Sequence, residues 1–120
     1  MSKCDDLIGA PYSKYDCWAL AREAASRYGI QLPTYEDYSR EKPEDIVRGF
    51  SENIGEFEEI KDPRPGDVVA FKRAGKSLHF GVVIEDGYCL HTNRELGGQR
   101  ISLSNQLLKS MLKGFYRWRK

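Results

Sequence analysis

Residues 78–93, Leu78-His79-Phe80-Gly81-Val82-Val83-Ile84-Glu85-Asp86-Gly87-Tyr88-Cys89-Leu90-His91-Thr92-Asn93, read as two strands and the turn between them. β-Branched and aromatic side chains fill both arms, and Asp86-Gly87 is the dipeptide that a tight hairpin favours. Upstream, Val68-Val69-Ala70-Phe71 is a third strand, launched from the turn Pro63-Arg64-Pro65-Gly66-Asp67 and separated from Leu78 by Arg73-Ala74-Gly75-Lys76-Ser77. Downstream, Gly97-Gly98 reads as a break and Arg100 to Leu103 as a short strand. Asn105 to Lys113 reads as a short helix carrying Leu107, Leu108 and Met111, with Gly114 as its stop. Phe115-Tyr116-Arg117-Trp118 is a closing strand, and Phe57 to Ile60 suits a short edge strand.

Two helices precede this meander. Asp16 reads as the N-cap of a helix from Cys17 to Tyr28, with Gly29 just beyond its end. Cys17, Leu20, Ala21, Ala24 and Tyr28 recur at helical spacing, so the buried stripe includes Cys17. Its alanines allow close packing. After a polar loop from Gln31 to Lys42, a second helix is expected from Pro43, with Ile46, Val47, Phe50 and Ile54 on one face until Gly55. Helices followed by an antiparallel meander make the class α+β.

The chain has 120 residues, a length typical of one domain at ~100–200 residues. Residues 1–120 are therefore expected to form a single domain. Hydrophobic residues are 40% and charged residues 31%, which argues for a folded globular chain and against disorder. Lys and Arg number 19 against 18 Asp and Glu, and a net charge of +1 offers nothing general to nucleic acid or a membrane surface. No run nears the ~18 apolar residues of a membrane span, so no membrane insertion is expected. Met1-Ser2-Lys3-Cys4-Asp5-Asp6 does not resemble a signal peptide, which suggests a chain made in the cytoplasm. Three cysteines, spread along the chain, leave at least one thiol free.

A helix N-terminus carries unpaired N–H groups and a partial positive charge, so a cysteine in the first turn has its thiolate favoured. Cys17 stands there, although a small core residue is the plainer reading of such a position. The chain has two histidines, His79 and His91. Counting outward from Asp86-Gly87 brings them onto neighbouring strands within a residue or two of register. Such a pair lets one imidazole take a thiol's proton while the other orients it. The plainer alternative is two polar residues at a sheet edge. With Cys17 at a helix start, the set points to a thiol hydrolase. Cys89 shares a strand face with His91, but neither Cys-x-x-Cys nor His-x₃-His spacing is present, so a core thiol is expected and no metal site. Cys4 reads as a bystander in a mobile N-terminus.

Several linked motifs resemble the NlpC/P60 cysteine peptidases: Asp6-Leu7-Ile8-Gly9-Ala10-Pro11-Tyr12, Asp16-Cys17, Pro65-Gly66-Asp67-Val68-Val69-Ala70-Phe71, His79-Phe80-Gly81-Val82 and Leu90-His91. The resemblance implies a papain-like core, with Cys17 as nucleophile, His79 as general base and His91 as its orienting partner. Tyr12 would assist the oxyanion site. The family's substrate is a peptidoglycan stem peptide, cut between D-γ-glutamyl and a diamino acid, with no metal or organic cofactor. Two departures stand out. Trp18-Ala19 replace the usual Ser-Gly, so Trp18 would reshape the groove beside Cys17. The usual Trp-Gly-Gly loop is cut to Ser13-Lys14-Tyr15, which alters the reach of Tyr12 and makes Tyr15 its weaker substitute at the substrate.

Asp16 to Arg22, Gly29 to Tyr35 and Gly114 to Arg117 are similar to the versions carried by phage and prophage tail proteins. That likeness implies a virion tail component acting at the bacterial cell wall, with other tail-tip proteins as partners. Arg94 and Arg100 follow the His91 strand, and either suits stem-peptide carboxylates, with solvated surface arginines as the plainer reading. Arg117, Arg119 and Lys120 read as solvated charges beside a packed Trp118. Two rivals stay open: a structural tail subunit without turnover, and an amidase or acyltransferase on the same core.

Overall fold

The computed structural model describes residues 3–33, 57–72, 78–93 and 95–119. The helix expected from Pro43 to Ile54 lies outside them. Helix α1 (Cys17–Ser26) starts where Asp16 accepts a hydrogen bond from the Ala19 N–H at 2.9 Å, satisfying one of the helix's unpaired donors. Beyond Arg27 the chain reverses through Gly29 at φ +80°. Cys17, Leu20, Ala21 and Ala24 face the core as their spacing predicts, joined by Trp18 and Ala25.

Six strands follow: β1 (Phe57–Ile60), β2 (Val68–Lys72), β3 (Leu78–Ile84), β4 (Tyr88–Asn93), β5 (Gly97–Ser102) and β6 (Leu112–Trp118). A short helix α2 (Gln106–Met111) precedes β6, and Asn105 caps it by accepting from the Leu108 N–H at 3.1 Å. The strands form one antiparallel sheet in the order β1-β6-β2-β3-β4-β5, so β1 is the expected edge strand. Between β3 and β4, Asp86 (φ +63°) and Gly87 (φ +77°) both take left-handed conformations that Asp and Gly tolerate.

The sheet is covered on both faces. Val68, Ala70, Phe80, Val82, Ile84 and Leu90 pack with α1. Val69, Phe71 and Cys89 pack with Leu108 of α2. Burial on both faces explains the unbroken apolar runs of β2 and β3, where a half-exposed strand would alternate.

Four expectations are corrected. Gly97-Gly98 is no break: the two open β5, paired with Asn93 and Thr92. The N-terminal segment crosses them, Gly9 N–H donating to Gly98 O at 2.7 Å and Gly98 N–H to Ala10 O at 2.9 Å. A Cβ on Gly98 would collide with the Leu7 carbonyl, so glycine serves close approach here. Gly114 does not stop α2, which ends at Met111; it lies within β6 opposite Ala70. Cys4 is fully buried against the core, its Sγ 3.9 Å from the Tyr28 hydroxyl. Arg27 ties this segment down through Asp6 (Nη1 to Oδ1 2.8 Å) and the Lys3 carbonyl (3.0 Å). Arg117 is no solvated charge: it binds Asp67 with both Nε and Nη2.

Candidate active site

Cys17 is the first residue of α1 and is buried at the helix's N-terminal end. Trp18 beside it is 5% exposed, with Nε1 donating to the Pro33 carbonyl at 2.9 Å and the ring meeting Phe80 edge-on at 5.3 Å. Trp18 is therefore packed as a core side chain next to Cys17. Its contact with Phe80 sets the first turn of α1 over the start of β3, one residue from His79.

His79 lies opposite Phe71 of β2. Alternation turns His79 towards the α2 side of β3, while Phe80 turns towards α1. Its Nε2 lies 3.3 Å from Nδ1 of His91, with the two rings perpendicular. The juxtaposition expected from counting along the hairpin is thus present. Gly81 makes room for it, since a Cβ there would lie 2.6 Å from the Leu90 carbonyl oxygen and 3.3 Å from the His91 Cβ. The Phe71 ring flanks both imidazoles, at 5.8 and 6.1 Å. His79 is buried and His91 half-buried, both lining a cleft with Phe71, Ile101, Leu108 and Met111.

The two tyrosines open onto different surfaces. Tyr12 is half-buried and lines an open cleft with Gly9, Pro11, Ser13, Glu95, Leu96 and Gly97. Tyr15 packs on the α1-side core and lines a separate hollow with Ala19, Arg22 and Glu23. Arg94 lies outside the described residues. The Arg100 guanidinium rests over the Tyr88 ring at 4.3 Å, a cation–π contact.

Cys89 is a core thiol, as expected, and burial pushes its pKa up to about 12. Burial also raises the Cys4 thiol, against a smaller opposing effect from the Tyr28 hydroxyl. Among the described residues no group of three His, Cys, Asp or Glu side chains converges as a metal site would require.

One structural pair escaped the sequence reading. Asp67, 1% exposed, accepts from the Arg64 N–H at 2.7 Å and from Arg117 Nε and Nη2 at 2.9 and 2.8 Å. This carboxylate closes the turn that launches β2 and pins the last strand to it. The Pro-Gly-Asp turn marks Asp67 in the sequence, but nothing local marks Arg117 as its partner.

Residues 7–117 match the NlpC/P60 family. Among solved structures, the chain is similar to a protein of Staphylococcus aureus subsp. aureus Mu50 described as similar to lipoprotein, NLP/P60 family. That match has 20% identity and a TM-score of 0.62, over 98% of this chain and 39% of the other. This chain therefore spans about two fifths of that protein's length, and the likeness at that identity is one of fold. No curated protein matches. The family match runs from the N-terminal segment through the helix of Cys17 and both histidine strands to β6, and it is on this match that the chain belongs to the NlpC/P60 family, a family of cell-wall cysteine peptidases and amidases.

Proposed function

We propose that this protein is a cysteine endopeptidase that cuts peptidoglycan stem peptides between D-γ-glutamyl and a diamino acid. The observation that carries the reading is the 3.3 Å approach of His79 Nε2 to His91 Nδ1, on two strands against which a helix that begins at a cysteine packs. With Nε2 turned to His91, Nδ1 of His79 is the nitrogen assigned to the Cys17 thiol. The thiolate adds to the scissile carbonyl carbon, and the oxyanion is held by the Cys17 N–H and the Tyr12 hydroxyl. Collapse of this intermediate breaks the C–N bond, and the imidazolium of His79 gives its proton to the leaving amine. Water, deprotonated by His79, then hydrolyses the thioester and frees Cys17. His91 acts by orienting His79. The likeness of Asp16 to Arg22 and Gly114 to Arg117 to phage tail versions supports a place in a virion tail, and detection of the chain in purified particles checks it.

Mass spectrometry of fragments released from purified sacculi tests the activity. Wild type is expected to release stem-peptide fragments whose masses identify the bond, with Cys17→Ala slower by about a thousandfold or more. His91→Asn is expected to keep more activity than His91→Ala, because an amide can still orient His79. Equal release by wild type and Cys17→Ala, or none by either, overturns the reading.

A further inference from the structure

Trp18 and Phe80 each follow one member of the Cys17–His79 pair, and both are core side chains. Their rings meet edge to face, with centroids 5.3 Å apart and planes at 77°, the arrangement that aromatic quadrupoles favour. Most of the remaining buried face of α1 is small. Ala21, Ala24 and Ala25 let the helix lie close on the sheet, and Leu20 is the other large side chain there. Methyl groups permit close approach but make shallow ridges, which oppose sliding and rotation poorly. Trp18 supplies a large knob in the first turn, where Cys17 stands. The indole is tied on a second side as well: Nε1 donates to the Pro33 carbonyl at 2.9 Å, and one turn on Arg22 Nε donates to the Leu32 carbonyl at 3.4 Å. His79 is the second residue of β3 (Leu78–Ile84), so the start of that strand is the part that has to meet the first turn of α1. An error of about 1 Å between reacting groups is enough to cost roughly a hundredfold in rate.

We propose that Trp18 is a positioning residue: its ring contact with Phe80 sets Cys17 against His79, so that the thiolate–imidazolium pair forms. The inference rests on the Cys17–His79 reading and adds what aligns the two. The step concerned is one proton transfer, from Cys17 Sγ to Nδ1 of His79, which leaves a thiolate and an imidazolium. The ionisable side chains beside Cys17 in the chain are Tyr15 and Asp16, whose carboxylate caps α1 through the Ala19 N–H. Those beside Phe80 on the sheet are His79 and its partner His91.

Alkylation of Cys17 by iodoacetamide, followed by peptide mass spectrometry so that Cys4 and Cys89 are read separately, tests this in the whole protein without any peptidoglycan. Wild type is expected to react already at about pH 6, well below the ordinary thiol range near 8.5, and His79→Ala to lose that reaction. Trp18→Leu and Phe80→Leu are expected to react at least about tenfold more slowly than wild type at the same low pH, yet no more slowly at about pH 9, where the thiol ionises unaided. Trp18→Phe keeps a ring against Phe80 and is expected to stay within about threefold of wild type throughout. Ile84→Ala loosens the same core at the far end of β3 and is expected to keep the low-pH reaction. Low-pH reaction of Trp18→Leu equal to wild type overturns the proposal and leaves the hydrolase reading standing. Equal loss in Ile84→Ala also overturns it, since general loosening would then suffice. No low-pH reaction in wild type, or one kept in His79→Ala, refutes the Cys17–His79 pair, and the proposal falls with it. If Trp18→Leu does not fold, Phe80→Leu compared with Trp18→Phe decides by the same criterion.

Discussion

The chain's three thiols differ in what surrounds them. Cys89 is sealed between β4 and the α2-side core, and burial holds its pKa at about 12, against an ordinary value of 9.0. The folded protein therefore keeps this proton where the unfolded chain releases it. The stabilisation is complete below pH 9 and is lost as pH rises towards 12, at about 1.4 kcal/mol per pH unit for one group. Urea unfolding across that range is expected to show a steeper fall for wild type than for Cys89→Ala, and equal slopes would refute the burial argument. Thr92 gives a second expectation at this scale. Its Oγ1 is buried with no hydrogen-bond partner among the described residues. Thr92→Val removes the unsatisfied hydroxyl and is expected to be neutral or to stabilise by up to about 1 kcal/mol, measured as a shift in the urea midpoint. The histidine pair was legible from the sequence because hairpin geometry is local. Gly81 as the space beneath His91 was not, since the close packing there also involves Val69 of β2, outside the hairpin.

Among the elements, α1 and the β3–β4 hairpin follow their sequence signals closely, from the Asp16 cap to the left-handed Asp86-Gly87 turn. The N-terminal segment and β5 do not. Leu7 to Ala10 lies along Gly97-Gly98 through two backbone hydrogen bonds, and this contact decides that the glycines begin a strand. Gly98→Ala is expected to push that segment away. The Gly9 amide would lose protection from hydrogen exchange, and Tyr12, three residues on, would lose its placement. Protection of Gly9 equal to wild type would show that the segment is held by other means. Towards the other end of the sequence, α2 stops two residues earlier than Gly114 suggests because β6 begins at once, paired to β2 from Leu112 onward. Sheet pairing overrides a local stop signal there.

Across the whole molecule, one ion pair joins residues fifty positions apart. Asp67, buried before β2, meets Arg117 near the end of β6, and the bidentate geometry locks the order β6-β2 at the centre of the sheet. Arg117→Met leaves a buried carboxylate without its cation and is expected to cost about 3 kcal/mol in urea unfolding. A loss below about 1 kcal/mol would mean that solvent replaces the guanidinium. Hydrophobic period, caps and turn residues by themselves determined the α+β class, the helix that begins at Cys17 and the neighbouring positions of His79 and His91. Each of these depends on residues within one helix turn or one hairpin, so the pattern of near neighbours carries it. The burial of Cys4, the roles of Gly97, Gly98 and Gly114, the Asp67–Arg117 pair and the apolar cleft behind the histidines were decided only by the tertiary structure. Each arises where segments distant in sequence press together, and their free energy lies in contacts that no local pattern encodes.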